Sequence, residues 1–214
     1  PNLVSFMGVI AEIENISIIT EFCNGGTLFN LLHQRKEIYL NWKFLVKVIL
    51  DTAIGMNFLH TNDPMIIHRD LKSLNILLTE KIENSGEKSR IKITDFGLSK
   101  IQKRMGDDIE MMTGMLGTCH WMAPEILENK LYSNKADIYS FGIILWECLT
   151  RTTPYADMNP QQISIYVTDK KGRPDMSKIA YDAPSCLVKL MQLCWEHDPI
   201  KRPSFEEIVN YLRQ

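Results

Sequence analysis

His68-Arg69-Asp70-Leu71-Lys72-Ser73-Leu74-Asn75, running straight into the apolar Ile76-Leu77-Leu78, is the stretch on which the fold of this chain turns. An aspartate and an asparagine five positions apart bracket a lysine. The aspartate can accept a hydroxyl proton, the lysine can neutralise a phosphate, and the asparagine oxygen can bind a hard cation such as Mg²⁺. Taken alone, an aspartate or a lysine here would favour a charged surface loop. The octet's surroundings decide between the two readings.

Moving outward, a polar segment from Glu80 to Arg90, with Asn84-Ser85-Gly86 at its centre, separates Asn75–Thr79 from the β-branched run Ile91–Thr94. This predicts two short strands joined by a turn. The second strand ends on Asp95-Phe96-Gly97, an acid followed by a glycine pivot and a plausible metal-binding turn. Upstream, Val9 to Phe22 reads as two strands around a polar turn at Glu12 to Asn15, and Asn24-Gly25-Gly26 breaks the chain. From Asn41 to His60, apolar residues at Leu45, Val48, Ile49, Ala53, Met56 and Leu59 fall on one helical face.

Downstream, Met105 to Pro124 is long and irregular, which in a compact domain marks a functional loop. It closes on Gly117-Thr118-Cys119-His120-Trp121-Met122-Ala123-Pro124-Glu125. Lys135 to Leu149 is apolar on all sides and so predicts a helix at the centre of a core. Asp137 lies in it, and a carboxylate there must be satisfied or it costs several kcal/mol. Leu187, Leu190, Met191 and Cys194 mark a one-faced helix. After Asp198-Pro199-Ile200-Lys201-Arg202-Pro203 a last helix starts at Ser204, with Glu207 at capping-box spacing. The fold class is α+β, mainly helical, with a strand-rich start.

The chain has 214 residues, 45% of them hydrophobic, and a net charge of −2. That suits one soluble domain, or one large lobe with a piece of another, and gives no basic excess for nucleic acid or an anionic membrane. The apolar run Phe141 to Leu149 is too short to span a bilayer. Five cysteines without a Cys-x-x-Cys pair read as buried free thiols of a reducing compartment, and the expected localisation is cytoplasmic.

Together these pieces resemble the eukaryotic protein kinase family, whose catalytic loop, Asp-Phe-Gly and Ala-Pro-Glu motifs occur here in the family's order and spacing. The opening Asn2-Leu3-Val4-Ser5-Phe6-Met7-Gly8 and the run Trp121-Met122-Ala123-Pro124-Glu125 look most like the tyrosine-kinase-like group, home of Raf and mixed-lineage kinases. The resemblance covers essentially the whole chain. It implies residues 1–22 as a remnant of the kinase N-lobe, 23–26 as hinge and 27–214 as C-lobe, with the catalytic loop at 68–75 and the activation segment at 95–125.

The resemblance also implies roles. Asp70 is expected as the catalytic base, Lys72 beside the transferred phosphate, and Asn75 and Asp95 as holders of Mg²⁺. Thr20 falls at the gatekeeper position, Glu21 and Cys23 at the hinge that meets the adenine of ATP, and Leu77 beneath its ring. Phe6, His68 and Phe96 would join the stack linking the lobes, with Gly97 as the pivot. Asp137 would accept catalytic-loop N–H groups, and Glu125 and Arg202 would pair in the core. Lys72 with Thr118, which could bond Asp70 and Lys72, goes with serine/threonine rather than tyrosine specificity. Arg69 suggests control by phosphate on the activation segment, with Thr113 the first candidate and Ser99 the second.

The family's glycine-rich loop, lysine and glutamate are expected upstream of Pro1. Hence these 214 residues alone are expected to show little or no kinase activity and to aggregate through an exposed partial lobe. The expected partner is a protein substrate with a Ser or Thr acceptor, with no nucleic acid and no membrane insertion. The alternative is a pseudokinase that binds partners without catalysis; intact Asp70, Asn75 and Asp95 speak for the enzyme.

Overall fold

The computed structural model describes residues 1–12, 15–83, 89–95, 100–102, 119–131 and 133–214. Among the described residues, three antiparallel two-stranded ribbons accompany a helical body. Strands β1 (Phe6–Glu12) and β2 (Asn15–Thr20) form the first. The others pair β3 (Met65–Ile67) with β6 (Lys100–Gln102), and β4 (Ile76–Leu78) with β5 (Ile91–Ile93). The β1–β2 ribbon is where the sequence places it, but its apolar side chains are open. Phe6 is 65% exposed, and Met7, Val9, Ile10, Ile18 and Ile19 are exposed too. The expected stacking of Phe6 between lobes is therefore not seen: nothing among the described residues covers that face.

Helix α1 (Trp42–Thr61) follows the predicted stripe, with the Asn41 side chain accepting from the Phe44 N–H to cap its start. Its length and composition would also suit a membrane span. Its apolar face instead packs on β5 and the last helix. After the short α2 (Pro124–Leu127) comes α3 (Lys135–Thr150), buried from Ala136 to Leu149 except at Ser140. A helix without a wet face needs neighbours all round. These include α5 (Ser185–Cys194) and α6 (Phe205–Leu212), whose Phe205 meets Phe141 edge-on at 5.3 Å. The guanidinium groups of Arg173 and Arg202 both lie over the Tyr139 ring, 5.1 and 5.2 Å from its centre.

The sequence reading passed over α4 (Pro160–Thr168), which carries its own capping box, Asn159 with Gln162. It also missed the one-turn π-helix Asn30–Gln34. Arg151 fixes that turn to the end of α3 by donating to the carbonyls of Leu31, Arg35 and Ile38. All five cysteines are free: Cys119, Cys148 and Cys194 are buried as expected, Cys23 is half-buried, and Cys186 is exposed on the first turn of α5.

The predicted capping box of α6 is formed, Ser204 Oγ accepting from the Glu207 N–H while Glu207 accepts from the Ser204 N–H. Ser204→Ala should lower stability by about 1 kcal/mol in a denaturation curve. An unchanged midpoint would mean that the cap contributes nothing.

Candidate active site

The register of the β4–β5 ribbon builds the site. Ile76 pairs with Ile93, so the residues just outside the ladder, Asn75 and Thr94, are brought together. The Thr94 N–H donates to the Asn75 carbonyl at 2.9 Å. One residue on, Asp95 takes a left-handed backbone (φ 68) and turns its carboxylate back toward Asn75. Asn75 Nδ2 lies 3.5 Å from Asp95 Oδ2 and 3.1 Å from Asp70 Oδ2, and also donates to the Asp70 carbonyl at 2.9 Å. Lys72 Nζ reaches Asp70 Oδ2 at 2.6 Å. Residues 70, 72, 75 and 95 thus meet at one point, although 25 positions separate the first from the last.

Asp70 is buried, 4% exposed, and its other oxygen, Oδ1, has no hydrogen-bond partner among the described residues. An unpaired buried carboxylate oxygen is costly, and it is a natural acceptor for an incoming hydroxyl. Asp70 shares a small cavity of about 20 Å³ with Leu71, Trp121, Ala123 and Ser140. Asp95 is exposed, and with the Asn75 amide oxygen it offers a hard, oxygen-only donor set. That set fits Mg²⁺, which takes one or two protein oxygens and completes its shell with phosphate and water.

The loop that carries Asp70 is held from beneath by α3. Asp137 accepts the N–H groups of His68 and Arg69, both at 2.9 Å, and a bond from His60 Nε2 at 2.9 Å. Burial would push Asp137 up, but the His60 bond and charge, then His68, outweigh it and hold the carboxyl below its ordinary value. The two N–H bonds brace Arg69, whose positive φ of 72 is uncommon outside glycine. His68 is buried and bonds the Thr94 carbonyl at 3.0 Å, joining this loop to the strand end before Asp95.

Residues 20–26 lie on the other side of β4. Gly25 N–H bonds the Leu78 carbonyl and Leu78 N–H the Gly26 carbonyl, so this segment runs beside the strand that carries Leu77. A Cβ on Gly25 would sit 2.3 Å from the Glu80 carbonyl oxygen, and Gly26 has φ +74, so both positions require glycine. The Glu21 carboxylate bonds Lys92 of β5 at 2.5 Å and the Ser5 N–H at 2.7 Å. The Lys92 bond, with Ser5 adding, holds Glu21 down to about 2. Burial pushes the Cys23 thiol up, with Glu21 adding, so it stays protonated. Its backbone N–H and carbonyl are unused among the described residues. Thr20 ends β2 and is exposed.

Glu125 and Arg202 form a bidentate pair at 2.6 and 2.8 Å, both buried. Phe96, Gly97, Ser99, Thr113 and Thr118 lie outside the described residues. Glu147, read from the sequence only as an interruption of the apolar run Phe141 to Leu149, is fully buried in α3 and accepts from His33, Ser73 and Trp121. Like Asp137 it is an acid in an all-apolar helix, and the cost of leaving it unsatisfied was the signal of its role.

A sequence profile of the protein tyrosine and serine/threonine kinase family matches residues 1–212. Among curated proteins, the serine/threonine-protein kinase STY17 of Arabidopsis thaliana is 39% identical over 213 residues, 100% of this chain and 34% of that protein. The probable serine/threonine-protein kinase drkC of Dictyostelium discoideum is 43% identical over 212 residues, 99% of this chain and 27% of that protein. The serine/threonine-protein kinase CTR1 of Arabidopsis thaliana is 36% identical over 214 residues, 100% of this chain and 24% of that protein. The chain therefore spans about a third or less of the length of these relatives. With a family profile matched from end to end and Asp70, Asn75 and Asp95 gathered at one point, the chain belongs to the protein tyrosine and serine/threonine kinase family.

Proposed function

We propose that the full-length protein transfers the γ-phosphoryl group of ATP, with Mg²⁺, to serine or threonine hydroxyls of protein substrates. The observation that carries this reading is the meeting of Asp70, Asn75 and Asp95, with Asp70 Oδ1 left open. The acceptor hydroxyl bonds to that oxygen, which orients it and takes its proton as the hydroxyl's bond to the γ-phosphorus forms and the bond from that phosphorus to the bridging oxygen breaks, releasing ADP. Lys72, already on Oδ2, places a positive charge beside the transferred group. Asn75 and Asp95 are the residues that would hold Mg²⁺, which supplies charge neutralisation for the β- and γ-phosphates. The unused backbone N–H and carbonyl of Cys23 suit the edge of an adenine. Five free thiols support work in a reducing, cytoplasmic compartment.

Serine/threonine specificity is supported by Lys72 two residues after Asp70, and by relatives that carry that specificity in their names. The test is radiolabelled γ-phosphate transfer from ATP by the full-length chain to casein and to itself, followed by phosphoamino-acid analysis. Phosphoserine and phosphothreonine are expected. Phosphotyrosine as the main product would overturn the specificity. No labelled product at all would overturn the enzyme reading in favour of a binding scaffold.

A further inference from the structure

Glu147 is an acid at 0% exposure in the middle of an apolar helix, and its two oxygens hold groups from three separate segments. Oε1 accepts from His33 Nε2 and Ser73 Oγ, each at 2.8 Å, and Oε2 accepts from Trp121 Nε1 at 2.7 Å. Ser73 lies between Lys72 and Asn75 in the catalytic loop. Trp121 opens the Trp-Met-Ala-Pro-Glu run that closes the activation segment, and its carbonyl accepts from Ser140 Oγ at 2.8 Å. Trp121 also lines the cavity that Asp70 lines.

We propose that Glu147 is a positioning residue that sets the acceptor-binding side of the activation segment against the catalytic loop. The inference rests on the kinase reading above and deepens it. A buried carboxylate that accepts three bonds is satisfied only while all three donors stay in place, since losing one leaves the charge under-solvated. The bonds of Ser73 and Trp121 therefore hold each other's geometry through one side chain. Ser73 fixes the register of the turn that presents Asp70 and Lys72. Trp121 fixes the wall against which the acceptor hydroxyl must enter. His33 closes the third side and brings in the π-helix, itself tied to the end of α3 by Arg151. The adenine of ATP would meet the protein along residues 20–26, and only its phosphates would come near Asn75 and Asp95. A fault in this joint should therefore weigh more on acceptor binding than on nucleotide binding.

The expected pattern separates positioning from plain stability. Trp121→Phe removes the N–H together with the five-membered part of the indole, and keeps one aromatic ring in the buried site. In the full-length chain it should raise KM for casein about tenfold, the loss of one charge-assisted bond, with KM for ATP within about twofold of wild type. Ser73→Ala should act in the same direction. Glu147→Leu should be at least as severe. Glu147→Gln should rescue, because its oxygen can accept from Trp121 while its amide donates to Ser73 and to His33 in the other tautomer. Ser204→Ala, which only lowers stability, is the control and should leave KM for casein unchanged. Should Glu147→Leu fail to fold, the Trp121 and Ser73 variants carry the test.

The proposal is overturned if Trp121→Phe and Ser73→Ala leave KM for casein where it was. A KM for ATP that rises in step with it overturns the proposal too, since that is what general loosening would do. A wild-type chain that labels neither casein nor itself overturns the kinase reading and this coupling with it. An active wild type with unaffected variants overturns the coupling alone.

Discussion

Asp70→Asn in the full-length protein is expected to lower kcat by about 10²- to 10⁴-fold while leaving the melting curve close to wild type. The change keeps shape and burial. One amide oxygen can still accept from Asn75, so the loop retains much of its bonding. What disappears is the negative charge that Lys72 pairs with and the basic oxygen that an acceptor hydroxyl would meet. Because the loss falls on an interaction made in the transition state, kcat and kcat/KM should drop together. Turnover at the wild-type level would remove Asp70 from the chemistry, and with it the functional reading.

Arg202→Met should act on stability instead, by about 3–5 kcal/mol, the range for stranding one partner of a buried pair. Arg202 is 1% exposed and its guanidinium makes five hydrogen bonds among the described residues. Two go to the Glu125 carboxylate and the others to the carbonyls of Glu196, Lys135 and His197. Methionine fills the space but leaves the Glu125 carboxylate, 6% exposed, without its counter-charge. Set against a typical total stability of about 5–15 kcal/mol, that loss removes about a fifth of the total at the least and nearly all of it at the low end. Glu125→Leu combined with Arg202→Met should recover part of the loss, because no buried charge is then left alone. Chemical denaturation reads both. A single-variant loss under about 1 kcal/mol would show that this pair is open to water.

Much of this was legible in residue order. The stripe of α1, the burial of α3 on nearly all sides and the cap at Ser204 follow from spacing and side-chain type, and each formed where the pattern put it. The convergence of Asp70, Asn75 and Asp95 was expected from a resemblance; the structure supplies its cause, the Ile76–Ile93 register that brings two strand ends together. Less legible were features whose signal is not periodic. The π-helix at Asn30–Gln34 has no pattern of its own and is held by carbonyl bonds from Arg151, more than a hundred positions away. β3 and β6 are three residues each, too short to alternate visibly. Helix α4 did carry a capping box, Asn159 to Gln162, but its short apolar set, Ile163 and Val167, gave little stripe to follow.

Two anions on α3, at positions 137 and 147, grip the catalytic loop from below at different points. The separation between those grips is a stretch of helix ten residues long, roughly 15 Å of axial rise at a fixed rotation per residue. Such a spindle tolerates exchange of one apolar side chain for another far better than any change in residue count. One inserted residue between the two would turn one grip by about 100° relative to the other and misalign the loop that presents Asp70.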